Sequence, residues 1–171
     1  NLVLYNCLPD TKFKIDKFFI KNNFNCFVIG YYKDQNNKTK PKVDIDHITF
    51  PAIEAFYNLV FEKNNNNLKL NFVGLKLKYF KNILNQEVRY KFKRLFKHKR
   101  IILYNSYKTD IEYFKILENI DLCLHLKYKD PCPNAIIERL KFGIPHIYSN
   151  SGGTPELVGN AGIGINVKDT W

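Results

Sequence analysis

From Leu68 onward, short apolar runs of strand length alternate with segments whose apolar residues recur every three or four positions. This alternation constrains the fold more than any other feature. Strands joined through helices need crossover connections, which make the strands parallel and place helices on both faces of one sheet. The strand-like runs are Phe24 to Tyr32, Leu68 to Gly74, Ile101 to Tyr104, Leu122 to Leu126, Ile144 to Tyr148 and Ile163 to Val167. Between them, Thr49-Phe50-Pro51 opens a helix, with Thr49 or Phe50 as its cap and Pro51 in a first turn that needs no N–H. Ala52, Phe56, Leu59 and Val60 continue it until Asn64 to Asn67 stop it. Phe80, Leu84, Val88, Phe92, Leu95 and Phe96 make Tyr79 to Lys97 amphipathic. Ile111 to Leu117 and Pro133 to Phe142 follow, the latter closed by Gly143. Thr154, a cap, and Pro155 start a last short helix. The expected architecture is one doubly wound, Rossmann-like α/β domain over residues 1–171. Such sheets bind ligands at the carboxyl ends of their strands, so the loops after Tyr32, Gly74, Tyr104, Leu126 and Tyr148 matter most.

Composition narrows the setting. With 45% hydrophobic and 25% charged residues, the 171-residue chain suits a globular domain with a real core. No apolar run reaches the roughly 18–20 residues of a membrane-spanning helix. Asn1 to Cys7 lacks the basic leader of a signal peptide. The chain contains no Met, so its native start is expected to lie elsewhere. The four cysteines, Cys7, Cys26, Cys123 and Cys132, form no CxxC pair, so their spacing does not suggest zinc, while a disulfide stays open. Cys26 and Cys123 read as buried thiols of a reducing compartment, and we expect a cytoplasmic location. The net charge of +11 is local: ten Lys or Arg against Glu87 between Lys76 and Arg100 contribute +9. That face is either simply solvated or a peripheral contact for an anionic membrane. No nucleic-acid fold signature accompanies it, and nucleic acid is not an expected partner.

The loop after Leu126 carries the chemistry. Asp130-Pro131-Cys132-Pro133-Asn134-Ala135-Ile136-Ile137-Glu138 enters a helix whose first-turn amides and positive dipole end suit a phosphate. Asn134 and Ala135 would present those amides. Glu138 follows Asn134 by four residues on one face and can accept two ribose hydroxyls. Asp130 can reach the group beyond the phosphates. A purely structural account also holds: a loop acid, and a Glu138 pairing with Arg139 or Lys141 on the helix surface. Gly152 and Gly153 either line the same cleft or only supply the turn before a helix that Thr154 caps. Asp44 and Asp46 have metal-like spacing but precede a helix in the wrong context, so no metal is expected. His125 and His146 read as satisfied structural histidines, and His47 and His98 have no partner pattern.

An acid, seven residues and a Glu resemble the signature of the retaining GT-B glycosyltransferases of the family-four type. Ile120-Asp121-Leu122-Cys123-Leu124, Glu138-Arg139-Leu140-Lys141-Phe142-Gly143-Ile144-Pro145 and Ser151-Gly152-Gly153-Thr154-Pro155-Glu156-Leu157-Val158 resemble its further motifs in order and spacing. Asn6 through Phe13 resembles the family's interdomain linker, with Cys7 in place of Gly. The resemblance implies that residues 1–23 are linker-like and that the chain is the donor-binding half, lacking the N-terminal acceptor domain. It implies a hexosyltransferase-type enzyme that moves a sugar from a nucleoside diphosphate to a glycan, lipid or protein hydroxyl, with retention and without a cofactor or metal. By itself the fragment is expected to bind donor better than it catalyses. Other GT-B enzymes, such as a nucleotide-sugar epimerase or a phosphorylase, remain open, as does a non-catalytic binding or membrane-adaptor module.

Carried over by position, Glu138 binds the ribose, and Asn134 and Ala135 bind the diphosphate and sugar. Asp130 contacts the sugar. The resemblance makes Asp130 and Glu138 the catalytic pair, with Gly152, Gly153 and Thr154 bordering the donor. The chain departs from the pattern in places. Asp130 is shorter than the usual Glu. Leu126-Lys127 replace Pro-Ser, and Gly30 is followed by Tyr31 where an Arg is usual. Among the lysines of residues 33–42, Lys42 most nearly matches the position of the family's diphosphate-binding Lys.

Overall fold

The computed structural model describes residues 24–29, 49–73, 86–104 and 110–166. Six strands, β1 (Phe24–Ile29), β2 (Leu68–Val73), β3 (Ile101–Tyr104), β4 (Leu122–His125), β5 (His146–Ser149) and β6 (Gly162–Ile165), form one sheet in the order β3-β2-β1-β4-β5-β6. Every neighbouring pair is parallel. The strand order reverses between β1 and β4, which defines a switch point and hence a crevice at the carboxyl ends of those two strands.

The helices are α1 (Phe50–Tyr57), α2 (Gln86–Lys97), α3 (Asp110–Leu117), α4 (Asn134–Lys141) and α5 (Thr154–Val158). On one face of the sheet, Ala52, Ile53 and Phe56 of α1 and Val88, Phe92 and Leu95 of α2 pack on Leu70 and Phe72. On the other, Tyr113 and Leu117 of α3 join Val73, Cys123 and Ile144. Ile136 of α4 and Val158 of α5 cover Tyr148 on that same side of the sheet. The period-two alternation of the strands explains this split, with Leu70 and Phe72 facing one way and Val73 the other. Fully enclosed side chains such as Phe72, Ile53 and Leu95 each contribute about 1.5–3 kcal/mol by leaving water.

The ends of several elements differ from the sequence expectation for identifiable reasons. The α1 helix widens past Tyr57: the Lys63 N–H reaches Asn58 O at 2.9 Å, an i to i+5 bond, across Asn58–Glu62. This widened turn leaves Leu59 exposed. Strand β5 starts at His146 because the Ile144 N–H is taken by Arg139 O, as part of the closure of α4 at Gly143 (φ 64°). Thr49 precedes α1 but makes no side-chain cap. Phe96, expected on the apolar stripe of α2, is exposed and stacks on Phe92. Cys26 and Cys123 are buried free thiols on adjacent strands, and burial pushes the Cys26 thiol up to about 12.

Candidate functional site

The β4–α4 loop leaves the sheet at the switch point. Asp121 fixes the far end of β4: its Oδ2 accepts the Asn25 N–H at 2.8 Å, and its own N–H donates to Asn25 O. It therefore ties β4 to β1, away from the ligand end. At the near end the loop turns through Lys129 (φ 50°) to Asp130 and Pro131, and Pro133 leads into α4. Asn134 is exposed and Ala135 half-buried at the start of that helix, beside the positive end of its dipole.

The loop after β5 packs directly on this one. The Gly153 N–H donates to Asp130 O at 2.9 Å, and the Lys129 N–H donates to Ser151 Oγ at 3.0 Å. Ser149 and Ser151 hydroxyls lie 2.8 Å apart. A Cβ on Gly152, where φ is +65°, would lie 2.4 Å from Asp130 O; one on Gly153 would lie 2.2 Å from Pro131 O. The two glycines are thus required by backbone-to-backbone contact, and only Gly152 also needs a positive φ. Thr154 does not cap α5. It is the first helical residue after Gly153, is fully buried, and its hydroxyl has no hydrogen-bond partner among the described residues.

Asp130 is enclosed, with its Oδ2 3.2 Å from the Lys127 ammonium and 3.7 Å from His125 Nε2. Burial, followed by the Arg139 charge, holds the His125 imidazole down at about 4. His125 is therefore neutral near pH 7, and the 3.7 Å contact is neither an ion pair nor a hydrogen bond. Glu138 lies one turn below Asn134, half-buried. Burial raises its carboxyl above the usual range and Asp110 adds to this, while Arg139 and a hydrogen bond from Tyr113 pull the other way.

Arg139 corrects the expectation of a helix-surface partner. It is fully buried on the sheet-facing side of α4, and its Nε donates to the Tyr113 hydroxyl at 3.4 Å. Its position on the stripe of Ile136 and Phe142 was the available signal. His146 is also not satisfied as expected. It is buried, its ring nitrogens find no partner of good geometry among the described residues, and burial with the Arg139 charge holds it at about 3.

The structure thus brings Asp130 together with Gly152 and Gly153 on two interlocked loops, with Asn134, Ala135 and Thr154 in the first turns of the helices that follow; Glu138 lies one turn further along α4, by Tyr113 and Asp110. Lys127, not singled out from the sequence, lies 3.2 Å from the Asp130 carboxylate. The signal was a cation three residues before an acid, just past a strand's carboxyl end. Lys42, Asp44, Asp46, His47 and Cys7 lie outside the described residues. Among the described residues no group of three or more His, Cys, Asp or Glu gathers to hold a metal. No helix there is long and apolar enough to cross a membrane.

The basic segment is less free than its charge suggests. Lys91 reaches Glu87 at 2.6 Å and Glu54 at 3.5 Å. Arg94 donates to the Tyr57 hydroxyl at 2.6 Å and lies 4.2 Å from the Phe61 ring centre.

The family model for glycosyl transferases group 1 matches residues 50–170, which include both interlocked loops and Glu138. The chain belongs to that family. No curated protein sequence matches this glycosyl transferase domain. Among solved structures it is similar to a protein provisionally described as a UDP-N-acetylglucosamine 2-epimerase from Listeria monocytogenes. That match has 16% identity and a TM-score of 0.49, covering 80% of this chain and 31% of the other. It is also similar to a lipopolysaccharide outer core galactosyltransferase in its apo form, with 14% identity and a TM-score of 0.46, covering 78% and 32%. The domain therefore spans about a third of the solved chains it matches.

Proposed function

We propose that this glycosyl transferase domain binds a nucleoside-diphosphate sugar along the first turn of α4 and takes part in transferring the sugar to an acceptor hydroxyl with retention. The observation that carries this reading is the interlock of Gly152–Gly153 with Asp130–Pro131. It holds the loops after β4 and β5 together beside the first turn of α4, the helix that carries Glu138 one turn further on. In the reaction the bond from anomeric carbon to phosphate oxygen breaks, and the nucleoside diphosphate leaves with the electron pair. A new bond forms to the acceptor oxygen, which releases its proton. The main chemical task is to stabilise the departing diphosphate, and a helix N-terminus with nearby cations does so without needing a metal. Ionised Glu138 accepts ribose hydroxyls. Acceptor groups come from a facing domain, so this domain by itself binds donor better than it turns it over.

Isothermal titration with UDP and GDP tests the reading. Glu138→Ala loses charge-assisted hydrogen bonds of about 1.5–3 kcal/mol, so the nucleotide that binds should bind about ten- to a hundredfold more weakly. Unchanged affinity would remove Glu138 from the site.

A further inference from the structure

Lys127 stands two residues past the carboxyl end of β4, on the switch-point side of the sheet. Its ion pair with Asp130 is lopsided. The carboxylate is 12% exposed, whereas the lysine side chain is 51% exposed. A solvated surface pair contributes little and has no reason to enclose its anion. Here the carboxylate stands on a fixed backbone: Asp130 O accepts the Gly153 N–H, and Gly152 packs against the Asp130 main chain with no room for a Cβ. His125, neutral, lies 3.7 Å from the same Oδ2, so among the described residues Lys127 is the cation that answers its charge. An ammonium has three donors. Asp130 takes one, and the exposed side of Lys127 leaves the others for a second anion. The same loop runs on through Pro131 and Pro133 into the positive end of α4, so a fixed cation and a helix dipole flank one short stretch.

We propose that Lys127 binds the diphosphate of the donor, and that Asp130 is the positioning residue that holds Lys127 in place, not a group that contacts the sugar. The proposal rests on the donor-site reading above. It assigns to the β4–α4 loop a diphosphate cation of its own, independent of any lysine in residues 33–42.

The test is isothermal titration of the full chain with UDP, GDP and the matching monophosphates, for wild type, Lys127→Gln, Asp130→Asn, the double variant and Glu138→Ala. Lys127→Gln alters a half-exposed side chain and Asp130→Asn keeps the shape of its residue; thermal melts check that each variant is folded. Loss of one charge-assisted contact should weaken diphosphate binding about tenfold or more and shrink the preference for diphosphate over monophosphate. Asp130→Asn should cause a smaller loss in the wild-type background and none once Lys127 is already Gln. Wild-type affinity in Lys127→Gln, with Glu138→Ala impaired, rejects Lys127 while leaving the donor site standing. Additive losses in the double variant reject the positioning role of Asp130. If the wild type binds neither UDP nor GDP, the donor-site reading fails and this assignment with it.

Discussion

Arg139 is the largest fully buried side chain among the described residues, and it sits beside two imidazoles on neighbouring strands. Its charge adds to burial in keeping His125 and His146 neutral, at about 4 and about 3. In the unfolded chain both return to the ordinary 6.5. Between 6.5 and the depressed values the unfolded state takes up protons that the native state refuses. Stability is therefore fully present above about pH 6.5 and declines as pH falls through that window. The slope is at most about 1.4 kcal/mol per pH unit for each histidine. Glu138 acts in the opposite sense, because its raised carboxyl takes up a proton earlier in the folded state. Denaturant unfolding at pH 7, 6 and 5 should show the midpoint falling with acid, and His146→Gln should remove one histidine's share of the slope. A slope that His146→Gln leaves unchanged would show that this imidazole is not held neutral. At this scale the sequence was partly legible. The acid pair Asp130 and Glu138 and the double glycine stood out by spacing. Arg139 did not, because a charged type masked a core-facing position. The fixing of Asp130 did not either, because it depends on a loop 22 residues further along the chain.

Elements were easier to read than residues. A strand buried on both faces must be a short apolar run, and a helix must repeat every three to four residues, so every described strand and helix has its counterpart in the sequence pattern. What escaped were ends fixed by backbone bonding, such as the Ile144 N–H held by Arg139 O, and the widened turn at Asn58–Glu62. The basic helix α2 illustrates the same limit: charge is legible, but what it touches is not. Lys91 and Arg94 are committed to Glu54, Tyr57 and Phe61 of the adjoining helix and turn. Among the described residues, any attachment to anionic membranes should therefore run through exposed Lys93, Lys97 and Lys99. It should weaken steeply as the Debye length shrinks from about 10 Å at 0.1 M salt to about 3 Å at 1 M. In sedimentation with vesicles containing an anionic phospholipid, replacing those three with Gln should abolish binding. Arg94→Gln should instead lower the melting temperature. Wild-type protein that ignores such vesicles at low salt would make α2 a solvated face only.

For the whole molecule, the reversal of strand order between β1 and β4 decides where a ligand goes. One loop flanking that point, after β1, lies outside the described residues, and the other carries Lys127, Asp130 and the entry to α4. The loop after β5 is locked against it by backbone contact. The donor site proposed above lies at the carboxyl ends of the strands beside that switch point. The most direct test is amide NMR of the chain titrated with UDP and with GDP. The account predicts that one of them shifts the amides of Asn134, Ala135 and Ser151 to Thr154 together, with those of α2 unmoved. Shifts confined to α2 or to the opposite ends of the strands, or none with either nucleotide, would contradict it.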